Sequence, residues 1–361
     1  MDFGIVGLPM VGKTTVFNLL TQANLSTAAF MSGKAEAHTR IARVPDPRID
    51  TLSDMWRPRK TTYAQIKVTE VPGLVQGSSQ GMGVGNTFLN AIRQVDALVH
   101  VVRAFANDEV LHPEGSINPI RDIDTVNVEL LLADLQMVEN RIKRLNEGKK
   151  KKEQELELAL MERLQQALEN EQLVQSLTLS PEERALIAGF AFLTERPQIL
   201  VVNLDEEQFR TGNWPDAAAV RAHAAKRNIP LVEVCARIEM EITQLDPADR
   251  ELFMADLGIT ESGISRLARA AYDHLGLISF LTVGEDEVRA WTIRQGTTAK
   301  EAAGKIHSDI ERGFIRAEVV AYTDLMAAGS MAKARDQGHF RLEGKEYVVK
   351  DGDIINFRFN V

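Results

Sequence analysis

The sequence predicts an α/β fold in which an α/β domain is divided by an inserted helical hairpin of coiled-coil type. A small α+β, ubiquitin-like module follows at the carboxyl end. Three observations predict it. Asp2–Val6 is a short apolar run followed at once by a glycine loop and a helix-spaced segment. Leu131, Leu135, Val138, Ile142 and Leu145 recur at 4-3-4-3 spacing, the narrow seam of a coiled coil. Ile355, Phe357, Phe359 and Val361 alternate at the end of the chain, the period of a half-buried strand.

The first unit is the most specific. Gly7-Leu8-Pro9-Met10-Val11-Gly12-Lys13-Thr14 matches G-x-x-x-x-G-K-[ST] at every fixed position, and Thr15 to Leu20 continues with helical spacing. Strand, glycine loop and helix are the context in which this motif cradles phosphates. Glycines let backbone N–H groups turn inward, and the helix N-terminus adds partial positive charge. Met10, Val11, Gly12, Lys13, Thr14 and Thr15 are therefore expected around a nucleotide's phosphates. Lys13 reads as an exposed point charge that reaches the β- and γ-phosphates. The Thr14 hydroxyl is placed to ligate Mg²⁺.

A second strand, Ile66 to Val71, runs into Pro72-Gly73-Leu74. In phosphate-loop GTPases an aspartate ends this strand near Mg²⁺, and a glycine three residues later senses the γ-phosphate. Glu70 and Gly73 hold those places, so Glu70 joins Thr14 as an expected metal ligand and Gly73 joins Lys13 as an expected catalytic group. Leu74 stands where many GTPases carry a water-orienting glutamine, and a leucine cannot orient water. Gly77, Gly81, Gly83 and Gly85 then crowd into one glycine-dense loop. Ala97 to Val102 is the next buried strand. His100, inside it, reads as a core histidine. His112, in the loop beyond, is the better placed to approach a nucleotide.

Gln198 to Val202 is a further apolar strand, ending in Asn203-Leu204-Asp205-Glu206. GTPases read guanine here with N-K-x-D. Asn203 is kept, Leu204 replaces the lysine and Glu206 replaces the aspartate, so the guanine fork is damaged. A strand at Leu231 to Val234 leads to Cys235-Ala236, the place of a second base-contacting loop. Asn203, Leu204, Glu206, Cys235 and Ala236 complete the expected binding set. The order of motifs gives one discontinuous domain, 1–122 with 195–276.

Between its halves lies 123–194. The seam resumes at Met161, Leu164 and Leu168, and Lys149 to Lys152 form a charged tip. That tip reads either as a solvated turn or as a contact for ribosomal RNA or an acidic partner. Ser180-Pro181-Glu182-Glu183 reads as an N-cap, a proline at the first helical position and an acidic first turn. From 277 to 361, short strands at Phe280 to Val283 and Val288 to Ile293 precede a helix at Thr298 to His307. Asp351-Gly352 between Tyr347–Lys350 and the final alternation reads as a hairpin turn.

The composition excludes other classes. The 361 residues are 44% hydrophobic and 26% charged, with a net charge of −9. That balance argues against a general nucleic-acid coat, and no sequence-specific DNA partner is expected. Cys235 is the single cysteine, so no disulfide framework or cysteine zinc site is possible within the chain. No apolar run reaches the ~18 residues of a membrane span, and no secretory leader is evident. A cytoplasmic protein is expected.

The chain resembles the YchF/Obg-like ATPase family almost end to end. Besides the phosphate loop, the resemblance rests on Pro45-Asp46-Pro47-Arg48, Gly73-Leu74-Val75…Gly83…Gly85-Asn86 and Asn203…Glu206. It continues through Glu287-Val288-Arg289-Ala290-Trp291-Thr292, Ala303-Gly304-Lys305-Ile306-His307, Gly313-Phe314-Ile315-Arg316-Ala317 and Val349-Lys350-Asp351-Gly352-Asp353. The last group is similar to a TGS domain. The resemblance implies a G domain with an inserted coiled coil, ATP or ADP preferred over guanine nucleotides, slow hydrolysis and ribosome association. It ties adenine preference to Asn203 and Glu206, maps the replaced glutamine to Leu74, and gives His112 the task of helping the attacking water.

Two positions depart from that pattern. The family's switch threonine falls on Lys34, with Thr39 five residues too late, and its aspartate is Glu70. Both changes touch the metal, so Mg²⁺ dependence is expected to be weakened. Two readings of function stand: a slow ATPase acting on a translational partner, and a nucleotide-sensing ribosome or RNA adaptor with little turnover.

Overall fold

The computed structural model describes residues 1–23, 25, 37–71, 73–74, 89, 91–147 and 152–360. Lys34, the glycine-dense loop at 77–85 and most of the basic tip lie outside the described residues. Two compact units are present. One comprises Met1–Ala42 with Lys67–Arg266, and the other Arg43–Ile66 with Leu267–Val361. Residues 43–66 thus join the carboxyl-terminal unit, and the hairpin stays within the first.

The first unit is built on a six-stranded sheet ordered β2-β4-β1-β5-β6-β7: β1 (Asp2–Val6), β2 (His38–Arg43), β4 (Gln65–Glu70), β5 (Ala97–Arg103), β6 (Gln198–Asn203) and β7 (Leu231–Val234). β1 pairs in parallel with both β4 and β5, β5 with β6, and β6 with β7. β5 and β6 are buried throughout, as strands covered on both faces must be. The strand order turns about beside β1, with β4 on one side and β5 to β7 on the other, and such a switch point opens a crevice at the carboxyl ends of the strands. Glu70, Arg103 and Asn203 end their strands there. The phosphate loop follows β1 and Cys235 follows β7.

The hairpin consists of helices Pro119–Glu147 and Lys152–Glu169. Leu131, Val138 and Leu145 pack with Leu160, Met161, Leu164 and Leu168, so the 4-3 spacing marks a real seam. The first helix begins before residue 123, and its Ile123 belongs to the core beside β5 and β6. Asp134 fixes the hairpin base. Its carboxylate accepts from the Leu193 and Thr194 N–H groups at 3.1 and 2.8 Å and pairs with Arg93 at 2.8 Å. Ser180 is the expected N-cap of helix Pro181–Ile187, and with Glu183 it forms a capping box.

The second unit carries a sheet ordered β11-β10-β12-β8-β9-β3: β3 (Lys60–Thr62), β8 (Leu277–Thr282), β9 (Glu287–Arg294), β10 (Phe314–Ala321), β11 (Arg341–Glu343) and β12 (Asp353–Phe359). The β8–β9 hairpin and the parallel pairing of β8 with the last strand give the ubiquitin-like arrangement. Thr298 caps helix Ala299–Ile306 through a capping box with Glu301. The hairpin expected at Asp351-Gly352 does not form. Tyr347–Lys350 is not a strand, and β12 pairs with β10 and β8 instead. Asp351 is held otherwise, accepting from the Ser279 N–H at 2.8 Å and pairing with Arg48 at 2.7 Å.

Candidate nucleotide-binding site

The phosphate loop wraps from β1 into helix Lys13–Thr21. Gly12 caps that helix at φ +95°, and a Cβ there would collide with the Asn203 side chain. Lys13 is not the exposed charge the sequence suggested: it is only 7% exposed. Its ammonium donates to the Leu8 carbonyl at 2.7 Å, inside the loop meant for phosphate. Burial pulls its pKa down to about 8, while Glu70 opposes the shift.

The Thr14 hydroxyl donates to Glu70 Oε1 at 2.6 Å. Glu70 Oε2 is buried with no hydrogen-bond partner among the described residues. Burial pushes the Glu70 carboxyl above its usual range, against the Thr14 hydrogen bond and the Lys13 charge. A hydroxyl and an under-bonded carboxylate beside a phosphate cradle fit Mg²⁺, which takes one or two protein oxygens and fills its octahedron with phosphate and water. Among the described residues no cluster of three His, Cys, Asp or Glu side chains offers another metal site. The Thr39 hydroxyl lies 3.1 Å from that of Thr69, the residue before Glu70.

Gly73 packs against Pro9 so closely that a Cβ would collide with its backbone, and the Leu74 N–H donates to the Gly7 carbonyl at 3.0 Å. Gly73 and Leu74 therefore lie directly on the phosphate loop. Leu74 is buried and presents no polar group.

Asn203 ties three motifs together. Its Nδ2 donates to the Val11 carbonyl and its Oδ1 accepts from the Ala236 N–H, both at 3.2 Å. Both ends of the amide are thereby engaged. Asp205 caps helix Glu206–Thr211 in a capping box with Gln208. Glu206, the first residue of that helix, is left exposed.

These groups surround one cavity of about 800 Å³. Met10, Gly12, Lys13, Thr14, Thr15, Asn203, Leu204, Glu206 and Cys235 all line it. Val11 and Ala236 lie behind the wall, joined to it through Asn203. Glu70 and Gly73 sit beside the phosphate loop rather than in the lining. His112 is not brought to the cavity. Its side chain is 4% exposed, with Nε2 at 3.0 Å from Asp122 Oδ2 and Nδ1 accepting from the Glu114 N–H at 3.2 Å. Burial lowers the His112 pKa and raises that of Asp122.

The lining also includes Phe105, Asn107, Val110, Glu241 and Gln244, which carry no motif. One signal for this wall is legible afterwards. Arg103 is a charge at the end of an otherwise apolar strand, and a cation buried there needs acceptors close by.

Among the described residues no helix is long and apolar enough to cross a membrane. Residues 2–141 match a family model described as a 50S ribosome-binding GTPase, and residues 277–360 match the YchF-GTPase_C model, described as a protein of unknown function. The chain is 46% identical over 362 residues to a Bacillus subtilis protein named Ribosome-binding ATPase YchF, with 99% of each covered. An Escherichia coli O157:H7 protein of the same name is 44% identical over 360 residues, again with 99% of each covered. Among solved structures, the Schizosaccharomyces pombe YchF GTPase aligns with a TM-score of 0.83 and 32% identity, over 99% of this chain and 97% of that one. With such identity along the whole chain, and with the phosphate loop, Asn203 and Glu206 gathered at one cavity, this protein belongs to the YchF family of ribosome-binding ATPases.

Proposed function

We propose that this chain is a slow ATPase that binds ATP and ADP in the Met10–Gln244 cavity and works in the cytoplasm with the ribosome or its RNA. The observation that carries this reading is the convergence of Lys13 and Thr14 with Asn203 and Glu206 around one cavity. The ribosome enters through the names of the relatives. In this reading the Lys13 ammonium leaves the Leu8 carbonyl for the β- and γ-phosphates, and the Gly73 N–H faces the γ-phosphate. Thr14 and Glu70 would hold Mg²⁺, whose contribution is to neutralise charge growing on the phosphate oxygens. His112 assists the attacking water only once its loop leaves Asp122. The working units in this reading are the discontinuous G domain 1–122 with 195–276, apart from the 43–66 segment that joins the carboxyl-terminal unit, the hairpin 123–194 and the TGS domain 277–361.

The adaptor reading has its own support in the Thr14 hydroxyl, which is already committed to Glu70 Oε1. ATP and GTP affinities by calorimetry, with phosphate release measured with and without ribosomes, test both readings. ATP preference with ribosome-dependent turnover supports the ATPase. ATP binding without turnover in either condition leaves the adaptor, and tighter GTP binding overturns the adenine reading.

A further inference from the structure

Arg103 is 1% exposed, and its fork is aimed at three backbone carbonyls. Nε donates to Phe105 at 3.0 Å, Nη1 to Met10 at 3.3 Å and Nη2 to Asn107 at 3.3 Å. The guanidinium carbon lies 4.5 Å from the Phe105 ring centroid. Met10, Phe105 and Asn107 all line the cavity, while Arg103 stands behind them. One side chain thus fastens two walls, the loop that follows β1 and the segment that continues from its neighbour β5.

The two walls differ in what else holds them. The phosphate loop has bracing that does not involve Arg103: Asn203 to Val11 and Leu74 to Gly7. Residues 104–107 are neither helix nor strand. Ala104 is anchored to Asn203 and Gln208, but the Phe105 carbonyl and the ring above it rest on Arg103. A lysine keeps the charge but cannot serve three divergent acceptors, because its donors radiate from one atom whereas the guanidinium spreads them over a planar fork.

We propose that Arg103 is a positioning residue for the nucleoside end of the cavity, holding Phe105–Asn107 as a preformed wall against the phosphate loop. This rests on the nucleotide-binding reading above. A wall fixed before binding spares the ligand the entropy of ordering it. Loosening it weakens ligands that carry a base and ribose and leaves a phosphate-only ligand unaffected. Charge is held constant in Arg103→Lys, so the loss there is geometric; Arg103→Gln removes the charge and keeps one amide donor pair.

The test titrates the full chain and both variants with ADP and with inorganic tripolyphosphate, alongside melting curves. The expected result is about 10-fold weaker ADP binding in both variants, consistent with the ordering cost of a few residues. Tripolyphosphate affinity stays within about twofold and the melting midpoint falls only slightly. ADP and tripolyphosphate weakening in parallel, or ADP affinity unchanged, overturns the proposal. So does a collapsed melting midpoint in both variants, which would make Arg103 a support of the whole fold. No tripolyphosphate binding by the unmodified chain also overturns it, since the phosphate end must bind by itself. Absence of ADP binding by the unmodified chain removes the nucleotide reading itself.

Discussion

Thr14 and Glu70 are joined directly, hydroxyl to carboxylate, across 2.6 Å. The bond spans the end of β4 and the first turn of the helix after the phosphate loop. Glutamate is one methylene longer than the aspartate common at this position in GTPases, and it reaches the hydroxyl that Mg²⁺ needs. Glu70→Asp shortens that reach and leaves room for water between carboxylate and ion. We predict stronger Mg²⁺ dependence in this variant, with chelation costing it about 10-fold more nucleotide affinity than it costs the unmodified chain, the scale of changes beside a metal ligand. Turnover of the unmodified chain is expected below ~1 s⁻¹, the low end of ordinary enzymes. Adding Lys34→Thr should raise it further. Rapid Mg²⁺-dependent hydrolysis by the unmodified chain, with no gain in the double variant, would show that neither position limits the reaction.

Lys13 gives a pH dependence with a definite sign. Burial lowers its pKa from 10.5 to about 8, so near pH 9 the nucleotide-free protein holds it mostly neutral. Bound phosphates favour the ammonium. ADP binding at pH 8–9 must therefore take up a proton, and affinity falls toward about tenfold per pH unit above 8. Calorimetry in two buffers of different ionisation enthalpy measures that uptake; equal heats in both at pH 8.5 would contradict it. The linked stability runs the other way. The unfolded chain holds more protons between pH 8 and 10.5, so this group makes the nucleotide-free fold more stable as pH rises through that window. Lys13→Ala should abolish ATP-dependent stabilisation without lowering the nucleotide-free midpoint, because it removes a desolvated charge.

Asn203 is the tie between phosphate loop and base loop, and Asn203→Ala breaks both of its bonds at once. The Val11 carbonyl and the Ala236 N–H are then left in a buried place without the amide. Each such loss costs about 1–3 kcal/mol. The expected result is a lower melting midpoint, by about 2–4 °C per kcal/mol for a domain of this size, together with weaker ATP binding. A variant with an unchanged midpoint and full ATP affinity would mean that the two loops hold their places unaided.

Much of this site was legible because its chemistry is local. Gly7 to Thr14 is one unbroken stretch whose spacing encodes a turn, a helix start and a cation. Asn203 and Glu206 were placed by the strand before them. The seam at Leu131, Val138 and Leu145 followed from helical period alone. What the sequence did not reveal depends on backbone acceptors or on pairing across long separations. Arg103 gave only a lone charge after an apolar run, because its three acceptors are backbone carbonyls and leave no residue type to recognise. Asp134 is an unremarkable helix residue until Leu193 and Thr194 fold back onto it. Asp351-Gly352 misled for the same reason: a hairpin signal is local, whereas β12 is recruited by β8 and β10. His112 shows the opposite limit. Its loop position suggested access to nucleotide, while Asp122, ten residues on, holds it away.

The structure decides which substitution tests base preference cleanly. Exchanging Leu204 for lysine would rebuild the guanine motif on paper. Leu204, however, is 2% exposed and packed with Val102, Ile123 and Trp214. An ammonium there would be desolvated without a partner, and the variant would fail through its core. Glu206 is exposed on the cavity wall, so Glu206→Asp alone is the cleaner probe. Guanine presents adjacent donors at N1 and N2, which a carboxylate accepts as a pair when its depth is right. Adenine presents a donor at N6 and an acceptor at N1, so a carboxylate can accept from only one of them. The longer Glu206 side chain displaces the acceptor pair from the depth that aspartate gives in GTPases. The unmodified chain should therefore bind ADP more tightly than GDP, and Glu206→Asp should narrow that ratio by about 10-fold, the worth of roughly one well-placed hydrogen bond to a charged group. Titration of both proteins with both nucleotides decides it. Tighter GDP binding by the unmodified chain, or a ratio untouched by the substitution, would move base selection away from Glu206.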